Sequence, residues 1–427
     1  MKRVEKPGSV TRASDALAEE LRPRARDMLA FLEELVHIES HATQVSGVDR
    51  IAGLLSRALM NAGFEVERVR GQKIQPANVW LSELMLPGFD YGSLADVRIA
   101  RKAGIGSGRA LLLADLDTSY EPGSLARFPF RTEDARALGP GIADMKGGLV
   151  VLAFALMALE ECQLAGPAMT TVVLSPDEQA GSLGSRSIIE AEARRADWCF
   201  CLECARDGGK LMGSRAHIGV ARLDTYGREA HAGTAHSSGI NAIDALARKI
   251  IGINALTNAG KAVYVTVGQV YGGRRRSVVP AHAYCTIDVR TQNAKAWEEV
   301  SESLQQIARA HDSSAAGTEL RIYAHRPGVP WTRETDALIQ TVEGAGRACA
   351  LNVEVIASNA AGSSSFAGSR GVPTLDGMGP AGGDLMTERE YVEIASLVER
   401  AHLLALSMHL LAREPQFERP RPAPTLT

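Results

Sequence analysis

Apolar and polar positions along this chain recur with two periods, and the switches between them mark out its elements. Residues 1–24 are polar and charged, with an amphipathic helical pattern over 13–21. From residue 26 the apolar positions Met28, Leu29, Phe31, Leu32, Leu35 and Val36 keep helical spacing, and a second helix covers 48–62 until Gly63 stops it. Residues 64–69 alternate as a strand, whereas 72–108 is broken by glycine and proline and shows no clear period. A leucine-rich run over 110–116 reads as a buried strand, 147–161 as an apolar helix, 170–175 and 198–203 as further strands, with a helix opening after Ser185. Strand, helix and strand in alternation predict a parallel sheet, whose ligand site lies beyond the carboxyl ends of its strands.

Near residue 214 the rhythm changes. Strands are expected at 220–226, 262–270, 283–289 and 319–324, with helices at 241–251 and 294–310. This self-contained block reads as a smaller α+β domain inserted into the first. A helix from 335, a strand at 352–356 and a helix at 391–411 then complete the first domain. The expected layout is 1–213 and 326–412 for the larger domain, 214–325 for the insertion, and 413–427 as a proline-rich disordered tail.

The candidate chemistry is carboxylate. The stretch Ala110-Leu-Leu-Leu-Ala-Asp-Leu-Asp-Thr-Ser-Tyr120 ends a strand on Asp115 and Asp117, which strand alternation would point to one side. Gly139-Pro-Gly-Ile-Ala-Asp-Met-Lys-Gly-Gly148 brings Asp144 to the start of a helix, and Glu178 and Glu203 follow two more strands. Acids at strand ends also serve as caps and turn formers, so spacing alone leaves both readings open. Repetition over three strands favours a shared cleft.

Composition narrows the function. A formal net charge of −3 over 427 residues, with Arg274-Arg275-Arg276 the one basic knot, speaks against a nucleic-acid partner. No uninterrupted apolar run nears a membrane span, and the amino terminus lacks the apolar core of a signal peptide, so a cytoplasmic protein is expected. Six irregularly spaced cysteines do not make a disulfide framework.

These motifs resemble the dinuclear zinc exopeptidases and deacylases of the glutamate carboxypeptidase, acetylornithine deacetylase and aminoacylase family. The similarity runs over 26–412 and is specific at 117–120, 139–148, Asp177-Glu178 with 181–186, 230–233, 288–290 and 390–392. It implies an α/β fold: a mostly parallel-sheet catalytic domain of zinc-exopeptidase type with an inserted smaller α+β lid that pairs two subunits. By resemblance Glu178 is the general base, Asp117 its supporting acid, Asp144 the bridging metal ligand and Glu203 a further ligand. His231 is the lid histidine for the substrate carbonyl. Arg290 and Arg326 stand where the family presents positive charge to a substrate carboxylate.

Other positions depart from the family. Asp115 and Met386 replace metal-binding histidines, Gln179 replaces a metal-binding glutamate, and Ser277 replaces a lid asparagine. An amide oxygen and a thioether are poor substitutes in a carboxylate zinc site, so no dinuclear zinc is expected. If a metal is present, Asp115, Asp144 and Glu203 would hold one hard divalent ion. Cys201 or Cys204 could otherwise serve as thiolates, though burial is the ordinary fate of such residues. Gln179 and Met386 then read as fillers of vacated metal space and, with Asp115, Ser277, Arg290 and Arg326, as substrate contacts. The expected activity is metal-independent acid/base chemistry on an amide or acyl bond of a small, carboxylate-bearing, amino-acid-like substrate, in a homodimer without cofactor, nucleic acid or membrane. The rival readings are a metal-dependent peptidase or deacylase with a rebuilt carboxylate-rich site, and a catalytically silent ligand-binding homologue.

Overall fold

A computed structural model describes residues 7–75, 78–206, 208–310 and 317–413. The tail expected from residue 413 lies, from 414 onward, outside the described residues. The chain forms two compact units, the first drawn from the described residues of Met1–Ser214, Trp331–Ala357 and Gly362–Thr427, the second from those of Arg215–Pro330 and Ser358–Ala361.

The first unit is built on a six-stranded sheet. Its order is Glu65–Val69, Val97–Ala103, Met169–Ser175, Arg109–Asp115, Trp198–Cys201 and Thr374–Leu375. The last four strands run parallel, and the first two pair antiparallel at one edge. Side chains alternate across the sheet as strand geometry demands. Leu112, Ala114, Val172, Leu174 and Phe200 face a core shared with the helices Ala25–Val36, Val45–Asn61, Gly147–Glu161 and Ile394–Arg413. Leu111, Leu113, Val173, Cys199 and Cys201 face the other way, against Ile189 and Phe366. Burying each such leucine stabilises the fold by roughly 1.5–3 kcal/mol.

Two helices, Ile142–Glu161 and Ile394–Arg413, are long and apolar enough to cross a membrane, although no uninterrupted apolar run in the sequence announces them. Most of each is buried inside the protein, which accounts for their composition without a bilayer. Residues 391–393 extend as a strand, Tyr391–Glu393, against Arg136–Leu138, so the last helix begins three residues later than its periodicity suggests.

The second unit is a four-stranded antiparallel sheet in the order Tyr264–Gly272, His282–Thr291, His217–Tyr226, Gly317–Arg326. Helices Ala242–Asn254 and Ala294–Arg309 cover one face, burying Leu246 and Leu304 with Ala221, Leu223, Cys285 and Ile287. Each helix starts on an asparagine cap: Asn241 accepts from the N–H groups of Ile243 and Asp244, and Asn293 from Ala296. Gly219 lets Trp297 lie on the sheet, since a Cβ there would sit 1.7 Å from the indole.

Candidate active site

Parallel register sets the site. Ser175 lies opposite Asp115, and Cys201 opposite Leu113. Glu203, two residues beyond Cys201, and Glu178, three beyond Ser175, therefore emerge at the same sheet edge as Asp115. Asp144 arrives from the turn before helix Gly147–Glu161, and all four acids are at least nine-tenths buried.

Asp115 is the last residue of its strand, so Asp117 belongs to the loop beyond, and strand alternation does not govern where it points. The two acids have separate partners. Asp117 accepts from the backbone N–H of Glu178 (2.9 Å) and of Gln179 (2.8 Å), one through each oxygen, and so fixes the turn carrying Glu178. Asp115 Oδ1 accepts from the hydroxyls of Ser175 and Ser363, while its Oδ2 is buried with no hydrogen-bond partner among the described residues. Burial, then the charges of Glu178 and Glu203, push the Asp115 carboxyl well above the usual carboxylate range. Burial, Glu178 and Asp177 do the same to Asp117, outweighing its two N–H donors. Asp144 is raised by burial and by Glu203 and Glu390, with Arg206 opposing.

Two residues of this cluster carry no assignment from sequence. Glu390, fully buried, accepts from the N–H groups of Ala143 (2.8 Å), Asp144 (3.0 Å) and Met386 (2.9 Å) and from the Tyr120 hydroxyl (2.6 Å). It thereby locks the Asp144 turn to the segment before the last helix, and its presence in the 390–392 motif was the available signal. Arg206 pairs with Glu203 at 3.6 Å and sets a positive charge against the acids. Nothing in its local sequence marks it. Beneath the site, Lys146 Nζ donates to the carbonyls of Ile38 (2.9 Å) and Pro140 (3.4 Å); burial lowers its pKa to about 7, against the pull of Glu390 and Glu39.

The donor set does not fit a pair of zinc ions. Gln179 directs its side-chain amide at the Asp144 carboxylate, Nε2 to Oδ1 3.2 Å, placing a donor where a metal needs a lone pair. Met386 does not fill vacated space: the residue is 58 % exposed, while its N–H is held by Glu390. Cys201 and Cys204 are buried, and burial raises both thiols, Cys204 to about 12, so neither is poised as a thiolate. Among the described residues no three His, Cys, Asp or Glu side chains converge on one point as metal ligands.

The second unit carries its own candidates. His231 is exposed, and its Nδ1 accepts from the N–H groups of Gly233 and Thr234, both at 3.1 Å, which leaves Nε2 as the N–H donor of the neutral ring. Ser277 lies beside it, its carbonyl accepting from Ala232 N–H at 2.9 Å. Arg290 pairs with Asp288 at 2.9 Å and reaches the Asn359 carbonyl. Arg326 is buried at the end of its strand. His217 stacks on Trp297 with ring centroids 5.1 Å apart.

A mostly parallel sheet with acids at its carboxyl edge, joined to a separate antiparallel unit, defines a peptidase-type hydrolase fold. The chain belongs to peptidase family M20/M25/M40, which matches residues 111–409. Members of this class act on amide bonds. Carboxypeptidase G2 of Pseudomonas sp. (strain RS-16) is 27 % identical over 384 residues, spanning 88 % of each chain. Aminopeptidase PepT from Bacillus cereus shares the fold with a TM-score of 0.71 and 17 % identity, covering 91 % of this chain and 99 % of its own. The Bacillus subtilis YXEP protein, described as a dinuclear metal binding peptidase, superposes with a TM-score of 0.64 and 16 % identity, covering 92 % and 99 %.

Proposed function

We propose that this protein cleaves or transfers the acyl group of an amide in a small, carboxylate-bearing, amino-acid-like substrate, by acid/base chemistry that needs no metal pair. The observation that carries the reading is the pairing of Asp117 with the N–H groups of Glu178 and Gln179. It holds the base in place while the Gln179 amide occupies the Asp144 oxygen. Glu178 takes a proton from the attacking water or amine as it adds to the carbonyl carbon. The same carboxyl then gives that proton to the leaving nitrogen as the C–N bond breaks. In the second unit, His231, with N–H on Nε2, has the donor that would polarise a carbonyl, and Arg290, Arg326 and Ser277 are the groups that resemblance assigns to a substrate carboxylate. Met386 and Gln179 contact its side chain. The name of the carboxypeptidase relative supports a substrate with a free carboxylate. The working form is a cytoplasmic homodimer paired through the second unit.

One observation favours a second reading. The unpartnered, buried Asp115 Oδ2 would also suit a single hard divalent ion, which would have to draw in Asp144 and Glu203, since the three acids do not converge as they stand.

The test is turnover of N-benzoyl-glutamate and N-acetyl-ornithine with and without 1,10-phenanthroline or EDTA. Activity that survives chelation and falls by about 10²–10⁴ in Glu178→Gln supports the proposal. Loss on chelation, with recovery in manganese or magnesium, establishes the rebuilt site instead. Saturable binding without turnover identifies a silent homologue.

A further inference from the structure

A cavity of about 510 Å³ opens in the first unit, between the segment joining strands Glu65–Val69 and Val97–Ala103 and the start of the turn that carries Glu178. None of Asp115, Asp117, Asp144, Glu178, Gln179, Glu203 or Met386 lines it. Its volume lies in the range of small-molecule sites, and its walls are largely apolar, with Ile74, Phe89, Tyr91, Leu94 and Val97 among them.

The polar lining sorts into committed and uncommitted groups. Arg70 is bound to Asp96 and to the carbonyls of Leu94 and Gly92. Glu83 accepts from Gly88 N–H, and Asp90 from Gly92 N–H and the Ser93 hydroxyl. Asp177 accepts from the N–H groups of Gly184 and Ser185, and the Tyr91 hydroxyl donates to the Ala180 carbonyl. The Ser82 hydroxyl donates to the Val79 carbonyl. Ser185 is fully buried, so its hydroxyl is closed to an occupant of the cavity. Two side chains remain: Lys73 and Gln72 are exposed, and Lys73 has no ion pair among the described residues.

We propose that this cavity is a second ligand site, for a small monocarboxylic acid with an aromatic or other apolar body. The carboxylate meets the exposed Lys73 ammonium, with Gln72 beside it, and the body packs on Tyr91, Leu94 and Val97. Pro176 and Asp177 also line the cavity, so the occupant leans on the segment just before Glu178.

The probe is benzoate, followed by isothermal titration or saturation-transfer NMR on the whole chain, with benzyl alcohol as the uncharged comparison. Saturable binding is expected, weakened about threefold to tenfold by Lys73→Ala, and likewise weaker for benzyl alcohol. Val79 lines the mouth and is 50 % exposed, so Val79→Trp blocks entry without disturbing the core and should abolish binding. Thermal melting of each variant confirms its fold. No saturation up to about 10 mM, which is weaker than any specific site of this kind would be, overturns the proposal. Affinity unchanged in Val79→Trp, or in Lys73→Ala, also overturns it. Binding is read directly, so either outcome leaves the amide chemistry standing or falling on its own test.

Discussion

The side-chain amide of Gln179 donates to the carboxylate of Asp144, Nε2 to Oδ1 at 3.2 Å. A neutral donor thus stands beside an acid that burial and the charges of Glu203 and Glu390 already make hard to ionise. The pair relieves an acid-rich cluster in which Arg206 is the cation paired with Glu203. Replacing the amide by a carboxylate reverses that relief. Gln179→Glu should lower stability by about 1–3 kcal/mol near neutral pH, read as a fall in melting temperature. Added zinc or manganese should restore part of the loss in the variant and leave the native protein unmoved. Equal stabilisation of both by metal would mean that the native donor set already binds one.

Glu390 gathers the site from the other side. Its two oxygens accept three backbone N–H groups and the Tyr120 hydroxyl, with the bonds from Ala143 and Asp144 in the interior. Glu390→Gln turns one acceptor into a donor facing other donors, and each buried N–H left unpaired costs roughly 1–3 kcal/mol. The variant should lose about 2–5 kcal/mol in urea unfolding, with turnover falling as the Asp144 turn loosens. A loss below about 0.5 kcal/mol would show that Glu390 does not hold the turn.

Lys146 makes the stability of the fold depend on pH. Burial lowers its folded-state pKa to about 7 from the ordinary 10.5. Below 7 both folded and unfolded chains carry the proton, and the burial penalty is constant. Between 7 and 10.5 the unfolded chain holds a proton that the folded chain does not, so stability rises with pH, by up to about 1.4 kcal/mol per unit. Lys146→Met removes this slope. Urea unfolding of both proteins at pH 6, 8 and 9.5 should show the native chain gaining on the variant as pH rises. A constant difference would mean that Lys146 stays charged in the folded state.

How much of this was legible depended on whether a residue's partners lay nearby in the chain. The strand expected at 110–116 appears as Arg109–Asp115, and the helix at 147–161 appears as Gly147–Glu161, because unbroken apolar runs bury whole elements. Strand Val97–Ala103 escaped notice because Arg98 and Arg101 interrupt its apolar pattern. Arg98 is buried there with its guanidinium paired at 2.6 Å to Asp49, far back in the chain, and donating to the Asp96 carbonyl. Residues 391–393 carry a helical pattern, but pairing with Arg136–Leu138 extends them. The strand expected at 352–356 forms at Val355–Ser358 for the same kind of reason: tertiary partners decide where a short run starts. At the site, the acids at strand ends were readable from spacing. The hub role of Glu390 was not, since its donors come from residues near 120, 143 and 386.

The glycines of the 139–148 motif carry a packing argument that one substitution isolates. Gly148 begins helix Gly147–Glu161 directly against the chain that delivers Glu203, and a Cβ there would lie 1.9 Å from the Leu202 carbonyl oxygen. Backbone cannot yield as a flexible side chain can, so Gly148→Ala must push the helix start or residue 202 aside. Because Glu203 is the next residue, the displacement falls on the acid cluster as well as on the core. The expected cost is about 2–4 kcal/mol in urea unfolding, together with lost turnover. Gly166→Ala is the matched comparison, since a Cβ at that position meets nothing within 4 Å. It should lie within about 0.5 kcal/mol of the native protein and keep full activity. If the two variants behaved alike, close approach of the helix to residue 202 would not be what requires glycine at 148.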